Sequence, residues 1–210
     1  MSTHDTKEHW EQHYGERDRI WSGRVNVQFA DVVGDLAPGS ALDLGCGEGA
    51  DAVWLSERGW TVTAVDISDT ALGRARSAAA DRDVADRIEF RQLDLSEGFP
   101  EGTFDLISAQ FLHSKIPLDR QKILVQAAAA LRPGGRLVIV DHGSAPPWAS
   151  KLDHDHEFPS ADEVVTGLNL GDDQFDRVRV DSVERQAVGP DGQQRPWMDN
   201  VIVVRRRASA

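Results

Sequence analysis

The sequence predicts a doubly wound α/β fold, mostly parallel in its sheet and finished by a C-terminal antiparallel hairpin. Two observations predict the parallel part. Short apolar runs alternate with helical stretches from Ser40 to Val140, and most of the runs end on a glycine or an aspartate. Such alternation implies parallel strands joined by right-handed crossovers. A third observation predicts the hairpin: past Asp141 two long stretches of alternating polarity flank a turn sequence.

Residues 41–44 form a buried strand that runs into a glycine cluster. A helix follows over 49–58, with Gly59 as its stop signal. Residues 60–65 are rich in β-branched side chains and form a second strand ending at Asp66. Ser68 or Asp69 caps a helix that continues through the alanines to about Ala80. Residues 87–93 alternate, with Ile88 and Phe90 on one side, and end at Asp94. Residues 104–109 form the fourth strand. A helix over 118–131 closes on Arg132-Pro133-Gly134-Gly135, and residues 136–140 form the fifth strand. Pro146-Pro147 opens a loop, and a short helix spans 160–168. Strands over 175–188 and 197–204 then flank Gly189-Pro190-Asp191-Gly192, and their hairpin closes one edge of the sheet. Residues 1–30 differ in character, with Trp10, His13, Tyr14, Trp21 and Phe29 set among charges. They are expected to form an N-terminal lid or helical segment ahead of a ligand-binding domain over 31–210.

A chain of 210 residues fits one domain of this kind. The net charge of −12 disfavours a nucleic-acid partner, because binding phosphates needs clustered Lys and Arg. The only basic run, Arg205-Arg206-Arg207, reads as a solvated tail after a strand. Cys46 is the single cysteine, which suits a reducing compartment. Residues 1–10 lack the apolar core of a signal peptide, and no apolar run approaches the roughly 18 residues of a membrane span. A cytoplasmic protein with no membrane partner is expected.

In an open α/β sheet, ligands bind beyond the carboxyl ends of the strands, where the winding reverses. Asp43, Asp66 and Asp94 fall near that rim. Gly45-Cys46-Gly47-Glu48-Gly49-Ala50 follows the first strand and fits a loose dinucleotide pattern. Charge decides the ligand. A pyrophosphate would sit close to Asp43 and Glu48 at a Coulomb cost. S-adenosyl-methionine (SAM) carries a sulfonium and an ammonium instead of phosphate, and a ring of carboxylates accepts both.

Leu42-Asp43-Leu44-Gly45-Cys46-Gly47-Glu48-Gly49 resembles the first motif of the class I SAM-dependent methyltransferases. Val65-Asp66-Ile67-Ser68, Leu93-Asp94-Leu95 and Phe104-Asp105-Leu106-Ile107 resemble the second, third and fourth, and Leu131-Arg132-Pro133-Gly134-Gly135 the turn before strand five. The resemblance, which covers about Ser40 to Val140, implies a Rossmann-like seven-stranded sheet and SAM as cofactor. It places the backbone of Gly45, Cys46 and Gly47 against the methionine moiety and Asp43 on its ammonium. Asp66 would chelate the ribose hydroxyls, with Ile67 packed on adenine. Asp94 and the Leu95 N–H would read the adenine edge, and Ala109 and Gln110 would lie beneath the methyl group.

Ile20-Trp21-Ser22-Gly23-Arg24-Val25-Asn26 resembles the entry segment of tellurite-resistance and thiol-methylating members, which folds over the cofactor. Trp21 would then shield the sulfonium face and Arg24 orient a carboxylate. The same aromatics would also serve simply to dock a helix. The implied reaction is in-line methyl transfer to a small-molecule acceptor, tilted by the resemblance toward a soft or apolar nucleophile. Alternatives are an NAD(P)-dependent oxidoreductase on this fold and a non-catalytic SAM-binding domain. The one candidate catalytic residue is His113, near the substrate mouth, read as lining the pocket more readily than as a general base. His142, His154 and His156 with Asp153, Asp155 and Glu157 suggest a metal site, but the run His154-Asp155-His156 lacks the i, i+4 spacing that converges ligands and reads as a solvated loop. Cys46 is expected to pack near the cofactor without acting as a nucleophile.

Overall fold

In the computed structural model, residues 3–114, 116–149 and 158–208 are described. The chain runs through α1 (Thr3–Gly15), α2 (Val27–Val33), β1 (Ser40–Leu44), α3 (Ala50–Glu57), β2 (Thr61–Asp66) and α4 (Asp69–Ala80). It continues through β3 (Ile88–Gln92), β4 (Phe104–Gln110), α5 (Arg120–Ala129), β5 (Leu131–His142), α6 (Ala161–Gly167), β6 (Phe175–Val188) and β7 (Gln194–Arg206). The sheet order is β3-β2-β1-β4-β5-β7-β6. The first five strands pair in parallel, and β7 pairs antiparallel with both β5 and β6. The chain therefore winds outward one way from β1 and the other way from β4. The reversal falls between those two strands, which is where such sheets bind ligands.

Successive side chains of a strand point to opposite faces, so each central strand feeds two cores. Leu42, Leu44, Ile107, Ile139 and Ile202 pack with α5 and α6 on one face. Ala41, Val62, Leu106, Val138 and Val203 pack on the other with Phe29, Leu55 and Trp60. Burial on both faces explains why these strands are continuous apolar runs.

Several boundaries move for local reasons. α5 is shorter than the helix expected over 118–131, because Asp119 caps it by accepting from Lys122 N at 3.0 Å. β5 begins at Leu131, opposite Phe104, and the next pairing is Leu106 with Arg136; the Pro-Gly-Gly turn is thus an irregularity inside the strand pair. The division expected at residue 30 falls inside α2, whose Phe29 and Val33 are core residues. The basic run is no free tail: Arg205 and Arg207 pair with Asp176 at 2.7 and 2.8 Å, and Arg206 donates to Leu131 O.

Candidate functional site

The strand ends line up along one rim of the sheet. Asp43 on β1 is 2% exposed and accepts from Ser108 Oγ of β4 at 2.7 Å. Burial raises its carboxyl to about 7, with Asp51 adding like-charge repulsion and Ser108 opposing. Asp51, also pushed up by burial, to about 6, accepts from Asn26 N at 2.8 Å. Asp66 ends β2, and its two oxygens accept from Gly47 N at 2.8 Å and Ser68 N at 3.0 Å. Burial raises its carboxyl, and those N–H groups resist the shift. Asp94, beyond β3, takes Ser96 N and Oγ on Oδ1 at 2.9 and 2.6 Å, while its buried Oδ2 has no hydrogen-bond partner among the described residues. That oxygen is an acceptor waiting for a donor.

The turn from β1 into α3 carries Gly45, Gly47 and Gly49 at φ 69, 52 and 81, the left-handed region that favours glycine. A Cβ on Gly47 would stand 3.0 Å from Tyr14 Oη, and one on Gly45 only 2.7 Å from Leu112 Cδ1. The turn is bare backbone, flanked by α1 on one side and the end of β4 on the other. Cys46 lies within it, its thiol pushed up by burial and by Asp66 and Asp43, which disfavours the thiolate. Ile67 and Leu95 are half-buried next to their carboxylates. Ala109 is fully buried in β4, and Gln110 donates to Val138 O at 3.3 Å while its buried Oε1 has no partner among the described residues.

The N-terminal segment is latched to this turn by Glu48, whose carboxylate accepts from Ile20 N and Trp21 N at 3.1 and 3.0 Å. Arg74 of α4 pairs with Glu48 at 2.8 Å and donates to Tyr14 O and Arg17 O. Glu11 of α1 accepts from Asp69 N, Thr70 N and Thr70 Oγ1 at the start of α4. Burial lifts the Tyr14 hydroxyl above its ordinary range, and it accepts from Trp21 Nε1 at 3.3 Å. Trp21 is 52% exposed and packs beside Gly47. Arg24 is exposed along a groove with Trp54, Glu57 and Arg82.

Past the glycine turn, Phe111 follows β4 with φ 50, rare for a non-glycine residue. Its ring stacks on His142, which stacks in turn on Trp197. His113 Nε2 lies 3.4 Å from Asp141 Oδ1, and Arg120 pairs with the other Asp141 oxygen. Burial raises the Asp141 carboxyl, with Arg120 opposing. His154 and His156 with their acidic neighbours lie outside the described residues.

Sequence reasoning missed Glu48 as a latch, Asp51, Ser108 and the cluster around Asp141 and Asp199. Asp141 alone had a signal, being a fourth carboxylate at a strand end. The others depend on strand register and backbone donors, which residue types do not encode.

A family model described as a methyltransferase domain matches residues 42–139. The chain is 38% identical over 120 residues to the 27-O-demethylrifamycin SV methyltransferase of Amycolatopsis mediterranei, covering 56% of this chain and 44% of that protein. It is 32% identical over 170 residues to the demethylmenaquinone methyltransferase of Thermus thermophilus, covering 80% of this chain and 74% of that one. The chain spans only about half the length of several other curated relatives. The solved structure described as converting a disulfide bond into a thioacetal group during echinomycin biosynthesis superposes with a TM-score of 0.73. There the identity is 25%, covering 98% of this chain and 93% of that one.

Proposed function

The chain belongs to the class I SAM-dependent methyltransferases, and from that premise we propose that it transfers the SAM methyl group to a small-molecule acceptor in the cytoplasm. The observation that carries the reading is the row of buried carboxylates, Asp43, Asp66 and Asp94, on three neighbouring strands around the glycine turn. SAM supplies a methyl group made electrophilic by its sulfonium. Everything else falls to the chain: holding the donor, aligning the acceptor and excluding water.

The residues fit that task. The Asp94 Oδ2 without a donor suits the adenine amino group, with the Leu95 N–H beside it. Asp66 keeps a second lone pair on each oxygen for the ribose hydroxyls, and Ile67 flanks the base. Asp43 faces the ammonium, and Gly45, Cys46 and Gly47 offer bare backbone to the methionine moiety. Gln110, with Ala109 packed beneath it, floors the methyl end and Trp21 covers it, while Arg24 lies outside on the groove with Trp54, Glu57 and Arg82. His113 lines the acceptor mouth.

The same carboxylates disfavour the pyrophosphate of a nicotinamide cofactor. A domain that bound SAM without chemistry would show tight binding and no turnover across a broad panel of acceptors. The test of the reading is calorimetry with SAM and its demethylated product, S-adenosyl-homocysteine (SAH). Micromolar binding is expected, weakened in Asp66→Ala by about 1.5–3 kcal/mol, the worth of hydrogen bonds to a charged group. Unchanged affinity in that variant overturns the role of Asp66. Tritiated-methyl transfer into cell extract split by size decides the acceptor class. Label only in protein or nucleic acid overturns the small-molecule reading.

A further inference from the structure

Beyond β4 the same rim carries a second polar cluster. His142 ends β5, and Asp199 of β7 is its register partner. His142 Nδ1 faces Asp199 Oδ1 across 3.5 Å, and the other Asp199 oxygen accepts from Arg185 Nε of β6 at 2.5 Å. Asp199 is 1% exposed, so three adjacent strands contribute an Arg–Asp–His row whose carboxylate is cut off from water. The imidazole is clamped by its faces. Phe111 stacks at 4.3 Å between ring centroids and Trp197 at 4.1 Å, and two rings that close cannot share one face of a third. Nδ1 is buried. The side chain as a whole is 27% exposed, its Nε2 lies across the ring from Nδ1, and the His113 ring runs nearly parallel at 6.2 Å.

The clamp is itself braced. Trp197 Nε1 donates to Ser144 O at 2.8 Å, Arg185 lies over the Trp197 ring at 4.8 Å, and Trp148 meets that ring edge-on. Phe111 holds a left-handed backbone to reach the stack, and such strain gathers at functional sites. The neighbouring charges are Asp141 on β5, Arg120 on α5 and His113 after β4. His113 differs from His142 in that it turns its buried Nε2 toward Asp141.

We propose that His142 is the general base of the transfer, and that the acceptor is an aromatic hydroxyl compound. This rests on the methyltransferase reading and deepens it. A buried carboxylate facing Nδ1 favours the tautomer protonated there, which leaves Nε2 its lone pair. The acceptor O–H bond breaks, an N–H bond forms at Nε2, and the electron pair stays on oxygen, now the nucleophile. Asp199 stabilises the imidazolium, and Arg185 holds Asp199. An imidazole suits a phenol far better than an aliphatic alcohol, whose acidity is too weak for the match. The aromatic walls beside the edge suit a flat ring. The acceptor is thus one that must lose a proton, in place of the soft nucleophile expected from the entry segment.

The probe is 4-nitrophenol, added with SAH at mildly acid pH, where the dye in water is mainly neutral. Bound beside His142 it should show its phenolate band, and the band should be lost in His142→Asn. Dye bound in neutral form, dye that does not bind, or an unchanged band in the variant overturns the proposal. Transfer from SAM to matched phenols and thiophenols gives the second readout. His142→Asn should lose about 10²–10⁴-fold on phenols, the usual worth of a general base, and about ten-fold less than that on thiophenols, which ionise more readily. Equal loss on both, or no transfer to phenols by the parent, overturns it. SAH affinity separates the two levels: no SAH binding overturns the methyltransferase reading too, whereas SAH binding with a neutral dye overturns only the base.

Discussion

Asp43 and Asp51 sit close together with no basic partner among the described residues, and both carboxyls are raised by burial, Asp43 to about 7 and Asp51 to about 6. Unfolded, each would titrate near pH 4. Between those limits the folded chain binds more protons than the unfolded one, so these groups lower stability as pH rises through the window. The loss is complete above the folded values. Asp43→Asn, which keeps an acceptor for Ser108, should therefore melt higher than the parent at pH near 8 and show a smaller advantage near pH 5. A gain that did not grow with pH would show that Asp43 is not protonated in the folded chain. Ligand binding carries the opposite sign. A cation set against these carboxylates favours their charged forms, so SAM should expel protons when it binds near pH 6 and almost none near pH 8. Calorimetry in two buffers of different ionisation enthalpy measures that release, and Asp43→Asn should remove most of it.

At the scale of elements, the N-terminal segment is attached by polar contacts, while the sheet is held by apolar ones. Glu48 collects two backbone N–H groups and Arg74, and its side chain is 4% exposed. Glu48→Ala leaves those donors unpaired and should cost about 2–3 kcal/mol. Hydrogen exchange should speed up across residues 3–26, with the sheet strands unaffected, and SAH should bind less tightly. Protection unchanged in that segment would mean that the latch is not what holds it. Removing residues 1–26 goes further: the chain from Val27 keeps Phe29 and Val33 in the core and should fold, yet lose methyl transfer. Normal turnover would dispose of the lid. How much was legible follows the same divide. Each parallel strand is a short apolar run ended by a glycine or carboxylate, so the strands and Asp43, Asp66 and Asp94 could be read from their neighbours in sequence. The Ser68 cap was legible for the same reason, and its side chain accepts from Ala71 N. The latch joins Glu48 to backbone groups 27 and 28 residues earlier, and backbone donors carry no signature. The His142–Asp199 pairing was hidden by register: it needs β7 to lie between β5 and β6, and residue patterns predict a hairpin without saying which of its strands lies inside.

For the whole molecule, the strand order turns the chain into a sequence of sites along one rim. From β3 to β1 come Asp94, Asp66 and Asp43; at β4 come Gln110, Phe111 and His113; past it come His142 and Asp199. On the proposed reading, the donor and acceptor halves meet at the reversal between β1 and β4, on strands that the two cores hold rigid. A ligand held in that donor half would touch the ends of β1, β2 and β3 and the N-terminal segment together. It binds the folded chain and not the unfolded one, so it must raise stability by mass action. At 100 times its dissociation constant SAH should add about 2.7 kcal/mol. For a chain of this size, each kcal/mol corresponds to about 2–4 °C in melting temperature. The expected rise is thus about 5–11 °C, seen equally by a surface dye and by tryptophan fluorescence. NAD should give no rise, because its pyrophosphate meets the same carboxylates with the wrong charge. Asp66→Ala, whose carboxylate also ties Gly47 to Ser68, should melt lower than the parent without ligand and gain less from SAH. A larger shift with NAD than with SAH would remove the charge argument from which the donor assignment starts.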